Sequence, residues 1–283
     1  MKRGYADTRL GQIHYATAGD VGGKPLVLLP KTARTWRMFA GLAAQLSAEY
    51  RIFALDYPGT GSSDPLPPGT TFETVAAACI DFLDEVGVPA TCVYGLLTGN
   101  KIAAAMAAEW PARVRKVVLA GQSHSLVPDM KTRTGTVGKT RRQPATVDAR
   151  EVALIRWAET FNKITAMWWS TNATLTVADE GSRRHTIDRV VEELLTAESI
   201  PELYRANHTY DLQRDLERIT VPTLILEIAT PSEDRLIGRQ GALLQSLVRG
   251  SRLITLEEPD FHGITLEDRV EDLAAILRGF LDG

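Results

Sequence analysis

The stretch Val93–Gly121, "VYGLLTGNKIAAAMAAEWPARVRKVVLAG", has the layout of a strand, a sharp glycine turn and a buried helix. A turn of this kind holds up the residue at its tip, which is Leu97 between Gly95 and Gly99. A hydroxyl or thiol at the tip would be a nucleophile. Leucine has no lone pair to offer, so covalent catalysis is closed at this position. Thr98 is one residue late, and for it to attack, the turn would have to slip away from its flanking glycines. The remaining reactive side chains are imidazoles and carboxylates. A histidine near neutral pH can take a proton from water or from a substrate whether or not a serine is present. His262, in "PDFHG", and His124, in "GQSHSLV", both follow apolar strand patterns, and the acids Glu233 and Asp234 follow another, "PTLILEI".

These residues need a scaffold, and the apolar pattern supplies one. Short continuous apolar runs at 25–30, 51–58, 90–96 and 114–121 predict buried strands. Between them, "WRMFAGLAAQL" puts Trp36, Phe39, Ala43 and Leu46 on one helical face, and "TFETVAAACIDFLDEVG" predicts a helix ended by Gly87. Strands alternating with helices predict a mostly parallel sheet covered on both faces. The rhythm stops near His124 and resumes at 221–230 and 251–263. The expected organisation is therefore an α/β core from 1–123 and 220–283 with a helical cap at 124–219. The basic stretch "KTRRQPATVDAR" is expected to be a solvated cap loop. A final helix is predicted to start with a capping box, Thr265–x–x–Asp268.

Composition narrows the setting. The chain has 283 residues, 44% hydrophobic and 24% charged, with a formal net charge of −3. These values suit a globular protein and point to neither nucleic acid nor a membrane surface as a partner. The first residues carry no apolar core of a signal peptide, and no run of about 18 apolar residues is present. Cys79 and Cys92 lie in apolar surroundings and read as inert thiols in a reducing cytoplasm. His185 and His208 lack metal-ligand spacing, so neither metal nor cofactor is implied. His14 reads as structural.

Four stretches, in this order and spacing, resemble the α/β-hydrolase superfamily over essentially the whole chain. "LDYPGTGSSD" (55–64) looks like the family's D-x-P-G-x-G-x-S turn, and "GLLTG" (95–99) stands where its nucleophile elbow G-x-S-x-G belongs. "EWPARVRKVVLAG" follows the elbow as in family members, and "PDFHGITLEDRVEDLAAILRGFL" looks like the family's last loop, catalytic histidine and closing helix. The resemblance implies an α/β-hydrolase fold with a cap. It implies His262 as general base, with Asp234 or, failing that, Glu233 as its acidic partner, although both sit slightly late; the bland reading of the two acids is a solvated pair at a helix start. The family's HG motif is replaced by Pro30-Lys31, so the backbone N–H groups of Thr32 and Thr98 are the implied oxyanion donors. Lys31 either holds a substrate carboxylate or enolate or points to solvent. His124 is a second site histidine or a hinge residue, and Trp157, Trp168 and Trp169 line a pocket or merely pack the cap on its core.

The function expected from this set is an enzyme that acts on a small, partly apolar carbonyl-containing or acidic molecule. His262 would activate water for hydrolysis, or draw a proton from the substrate in lyase-like chemistry, without a covalent serine intermediate. The alternative is a non-catalytic pseudo-hydrolase, a sensor or carrier that binds a small molecule. The only further partner left open is a second copy of the chain.

Overall fold

In the computed structural model, the described residues are 1–121, 188, 191–231, 234, 238–258 and 265–283. Eight strands form one sheet: β1 (Lys2–Thr8), β2 (Gly11–Ala18), β3 (Lys24–Leu29), β4 (Tyr50–Asp56), β5 (Thr91–Leu96), β6 (Val114–Ala120), β7 (Thr223–Ala229) and β8 (Arg252–Glu257). Their spatial order is β1-β2-β4-β3-β5-β6-β7-β8. The first two pairings are antiparallel and the rest parallel. The buried strands read in the sequence as continuous apolar runs because both sheet faces are covered. The hairpin β1–β2, half exposed and short on apolar residues, is much less evident in the sequence.

Two apolar layers flank the sheet. On one side α2 (Phe72–Glu85) and α3 (Thr98–Glu109) pack on Val27, Phe53, Val93 and Val117. On the other, α1 (Ala40–Leu46) and the closing helix α7 (Val270–Leu281) pack on Leu28, Tyr94 and Leu226. The run Ala103–Ala108 of α3 is buried along its whole length. Its small side chains let the helix axis approach the sheet closely, which brings the first turn of α3 against the ends of β3 and β5. The helix α2 starts at an N-cap, Thr71, whose hydroxyl accepts from the Thr74 N–H at 3.3 Å.

Residues 200–219, which the sequence rhythm groups with the cap, form α4 (Ile200–Thr209) and α5 (Leu212–Arg218). Leu203, Ala206, Tyr210, Leu212, Leu216 and Ile219 join the same apolar layer as α2 and α3. After them comes α6 (Gly241–Leu247), whose first amide, with the N–H of Gln240 before it, is held by the buried Glu227 of β7: Gln240 donates to it at 3.0 Å and Gly241 at 2.7 Å.

One expected element starts elsewhere. The capping box at Thr265 does not open the last helix, which begins at Val270 with Arg269 at its N-cap and no side-chain cap bond. Leu266 has φ 56, which breaks helical geometry just after Thr265. Both cysteines are free and buried, and burial pushes the Cys79 thiol up to about 12, so it stays protonated at neutral pH.

Candidate functional site

The carboxyl ends of β3, β4 and β5 meet at the first turn of α3. In a parallel sheet this is where loops diverge and leave a crevice. Leu97 joins β5 to α3 with φ 51 and ψ −100, a conformation that burdens a non-glycine residue by roughly 1–3 kcal/mol. It persists because its surroundings allow nothing else. The Leu97 N–H donates to the Ala120 carbonyl at 2.9 Å. A Cβ on Gly95 would lie 2.2 Å from the Gly99 carbonyl oxygen, and one on Gly99 would lie 2.2 Å from the Leu29 carbonyl oxygen. Three backbone segments therefore cross at distances only glycine tolerates. The Leu97 side chain lies against Gly121 at the end of β6 and packs on the apolar layer that holds Leu96 and Ala120. The tip of the turn is an apolar wall.

Turning at Leu97 leaves the first amides of α3 without helical acceptors. The Thr98 N–H has no acceptor among the described residues. Beside it, the loop after β3 brings up Thr32, in a turn closed by the Arg34 N–H on the Lys31 carbonyl at 3.1 Å with Ala33 at φ 64. The Thr32 N–H is partly engaged: it donates to the Thr98 hydroxyl at 3.3 Å, and the two threonine hydroxyls are 2.6 Å apart. Of the two implied oxyanion donors, Thr98 is open and Thr32 carries a long bond to a neighbouring hydroxyl. Lys31 is half-buried on the same loop.

Three polar residues near the elbow were not singled out from the sequence. Tyr57, just past β4, is fully buried, and among the described residues its hydroxyl makes no hydrogen bond of good geometry. Burial pushes that phenol up, while the nearby Thr32 and Thr98 hydroxyls pull the other way. Lys101, one turn into α3, is almost fully buried, with Nζ 3.5 Å from the Leu97 carbonyl oxygen. A lysine in an otherwise small and apolar helix was the signal available for it. Arg34, two residues past Thr32, is buried between two carboxylates.

Asp234 lies just past β7, in a turn where its N–H donates to the Thr230 carbonyl at 2.9 Å. Its carboxylate meets Arg239 Nε at 2.8 Å, and Arg239 also grips Glu257 through two bonds of 2.9 Å. A histidine partner would share Asp234 with that arginine. His14 pairs with Asp56 at 2.9 Å in a buried contact. His262, Glu233, His124, Trp157, Trp168 and Trp169 lie outside the described residues, as does the loop "KTRRQPATVDAR".

A model of the alpha/beta hydrolase family matches residues 26–276. Among curated relatives, the dihydrolipoyllysine-residue acetyltransferase component of the acetoin cleaving system of Cupriavidus necator is 40% identical over 74 residues, which is 26% of this chain and 20% of that protein. The 2-hydroxy-6-oxononadienedioate/2-hydroxy-6-oxononatrienedioate hydrolase of Klebsiella pneumoniae is 32% identical over 115 residues, 39% of this chain and 40% of that one. These matches thus span two fifths or less of the relatives' own length. Epoxide hydrolase A of Mycobacterium thermoresistibile superposes with a TM-score of 0.75 at 17% identity, covering 100% of this chain and 98% of that chain. At that identity the likeness concerns the fold.

Proposed function

The chain belongs to the alpha/beta hydrolase family, and from that premise we propose that it is a hydrolase that works without a covalent serine intermediate. The observation that carries the reading is the elbow itself: a fully built turn with an open Thr98 N–H and a leucine in the place of the attacking group. In this reading the substrate carbonyl oxygen rests on the Thr98 N–H, with the Thr32 N–H as second donor once the Thr98 hydroxyl gives way. His262 removes a proton from a water molecule as that water attacks the carbonyl carbon. The oxyanion collapses, the bond to the leaving group breaks, and the leaving group takes the proton held by His262. Backbone donors aimed at developing negative charge act strongly in a water-poor site. The apolar Leu97 helps keep the site dry, and the helix start adds a positive field. The substrate is a small, partly apolar molecule with a carbonyl or an acidic group. The oxo-dioate in the name of the Klebsiella relative is a molecule of this kind.

His262→Ala tests the proposal with p-nitrophenyl acetate and a 1,3-diketone as substrates. Loss of a positioned general base is expected to slow turnover by roughly 100- to 10,000-fold while ligand affinity stays within a fewfold. An unchanged rate overturns the role of His262. A fluorophosphonate serine probe is expected to leave the protein unlabelled; labelling at Ser62, Ser63 or Thr98 overturns the non-covalent mechanism. A second reading, a binding protein without turnover, is favoured by the Thr98 hydroxyl standing on the Thr32 donor. It is selected if the wild type binds a carbonyl ligand and converts none.

A further inference from the structure

The chain returns to the core through a helical stretch at 191–196 and then α4. Glu192, Thr196, Ser199, Leu203 and Ala206 are spaced four, three, four and three residues apart, across a turn at 197–199 that joins the two helical pieces. All five are buried. Unlike an ordinary packing stripe, this one is polar at its beginning. Ser199 accepts from the Leu66 N–H at 3.0 Å, and Thr196 accepts from the Gly61 N–H at 3.4 Å, so these two residues seat the segment on the turn after β4. A Cβ on Gly59 would come 2.9 Å from Ser199 Cβ, which shows how closely the two chains approach.

Glu192, at the far end of the stripe, reaches a different element. It accepts from Arg34 Nε at 2.5 Å and from the Thr35 hydroxyl at 2.6 Å, both on the loop that carries Thr32. Arg34 turns its other two nitrogens to Glu267, with bonds of 2.5 and 3.1 Å. Glu267 belongs to the segment leading into α7. The Arg34 side chain is 7% exposed, and the Glu192 side chain is 0% exposed. Burial pushes the Glu192 carboxyl up, and Arg34 with the Thr35 hydroxyl pulls it back. A guanidinium is suited to this place because its planar fork can hold two carboxylates at once. Surface pairing does not explain it, since a buried cation held by one buried and one part-buried carboxylate is an expensive way to stabilise a fold.

We propose that Arg34 is a positioning residue: held by Glu192 and Glu267, it fixes the β3 loop, so that the seating of residues 191–206 sets where the Thr32 N–H points. The role assigned to the Thr32 N–H rests on the proposed function, whereas the clamp does not. One residue, Ala33, separates Thr32 from Arg34, and the turn closed by the Arg34 N–H on the Lys31 carbonyl joins them rigidly. A shift of Arg34 is therefore passed to the donor. A misplacement of about 1 Å at a catalytic group lowers rate by roughly a hundredfold.

The experiment compares the wild type with Arg34→Gln, Arg34→Lys and Thr35→Val by amide hydrogen exchange and by kinetics on p-nitrophenyl acetate. In Arg34→Gln, exchange is expected to rise together in the peptide spanning 29–36 and the peptide spanning 191–206, while peptides of α2 stay unchanged. The kcat is expected to fall roughly tenfold to a hundredfold, with KM within a fewfold, because an oxyanion donor acts mainly on the transition state. Arg34→Lys keeps the charge but holds one carboxylate instead of two, and is expected to fall between. Exchange that rises in one of the two peptides alone, or in neither, overturns the clamp. Exchange that rises in both with kcat unchanged overturns the link to Thr32. If the wild type hydrolyses no ester, the proposed function has failed and the exchange result alone decides the clamp. If Arg34→Gln does not fold, Thr35→Val, which removes one hydrogen bond to Glu192 and no charge, must show the same paired rise in weaker form.

Discussion

Two glycine-bearing turns follow β4 and β5, the strands on either side of β3, and they are held by opposite means. In the turn after β4, side chains do the holding. The Asp56 carboxylate accepts from the Trp36 N–H at 2.8 Å, the Ser62 N–H at 3.1 Å and His14 Nδ1 at 2.9 Å, and the Ser63 hydroxyl donates back to the Asp56 carbonyl. Asp64 closes the far side by accepting from the Gln12 N–H at 2.8 Å. In the elbow after β5, close backbone approach at Gly95 and Gly99 holds the shape, and among the described residues polar groups are left over at its edge: the Thr98 N–H and the Tyr57 hydroxyl. A turn whose polar groups are spent on itself and on the segments packed against it has little to offer a ligand. A turn held by glycine fit keeps its donors, and it keeps them whatever residue stands at its tip. That is how this turn can keep its shape with a leucine at its tip.

The comparison predicts which changes each turn tolerates. The largest effect is expected for Asp56→Ala. It strands a buried histidine nitrogen and two part-buried amides, and with each unpaired group costing roughly 1–3 kcal/mol the variant is expected to lose roughly 3–5 kcal/mol. Urea unfolding measures it; a loss below about 1 kcal/mol, the net worth of one ordinary hydrogen bond, would show that the side chains are not what holds this turn. Next comes Gly99→Ala. Its Cβ would press on the Leu29 and Pro30 carbonyl oxygens, which belong to backbone and cannot rotate away. Overpacking of this sort destabilises by roughly 1–3 kcal/mol or more. A variant as stable as the wild type would mean that glycine fit does not define the elbow.

The α/β core was legible because buried strands and amphipathic helices write strong apolar periods. The elbow was legible because Gly95 and Gly99 flank the end of an apolar run just before a helix of small residues. The hairpin β1–β2 was less so, since a half-exposed strand such as Lys2–Thr8 carries little apolar signal. The start of the last helix was misjudged because Thr265 and Asp268 have capping spacing, while the backbone at Leu266 takes a positive φ that no local letter announces. Arg34 and Glu192 were out of reach for another reason. They are 158 residues apart in the chain, and nothing in either neighbourhood indicates that one buries the other. Pairings set only by tertiary approach leave no periodic trace.

The smallest expected effect is also the most specific to the elbow, and it concerns the tip. Leu97→Ala removes apolar contact with the layer around Gly121 but keeps a side chain at φ 51, so the strain stays and the packing goes. Leu97→Gly removes more side chain, yet it releases the strain of roughly 1–3 kcal/mol. Against that release stand the lost burial, about 1.5–3 kcal/mol for a fully buried leucine and less for this partly buried one, and the freer unfolded chain of glycine, about 0.5–1 kcal/mol. The terms nearly cancel for glycine and do not for alanine. The expected order of melting temperatures is therefore wild type close to Leu97→Gly, with Leu97→Ala below both. In an ordinary helix or strand, alanine is the milder change of the two. Finding that usual order at position 97 would mean that the tip is not strained and that the turn is held, like its neighbour after β4, by something other than the fit of its glycines.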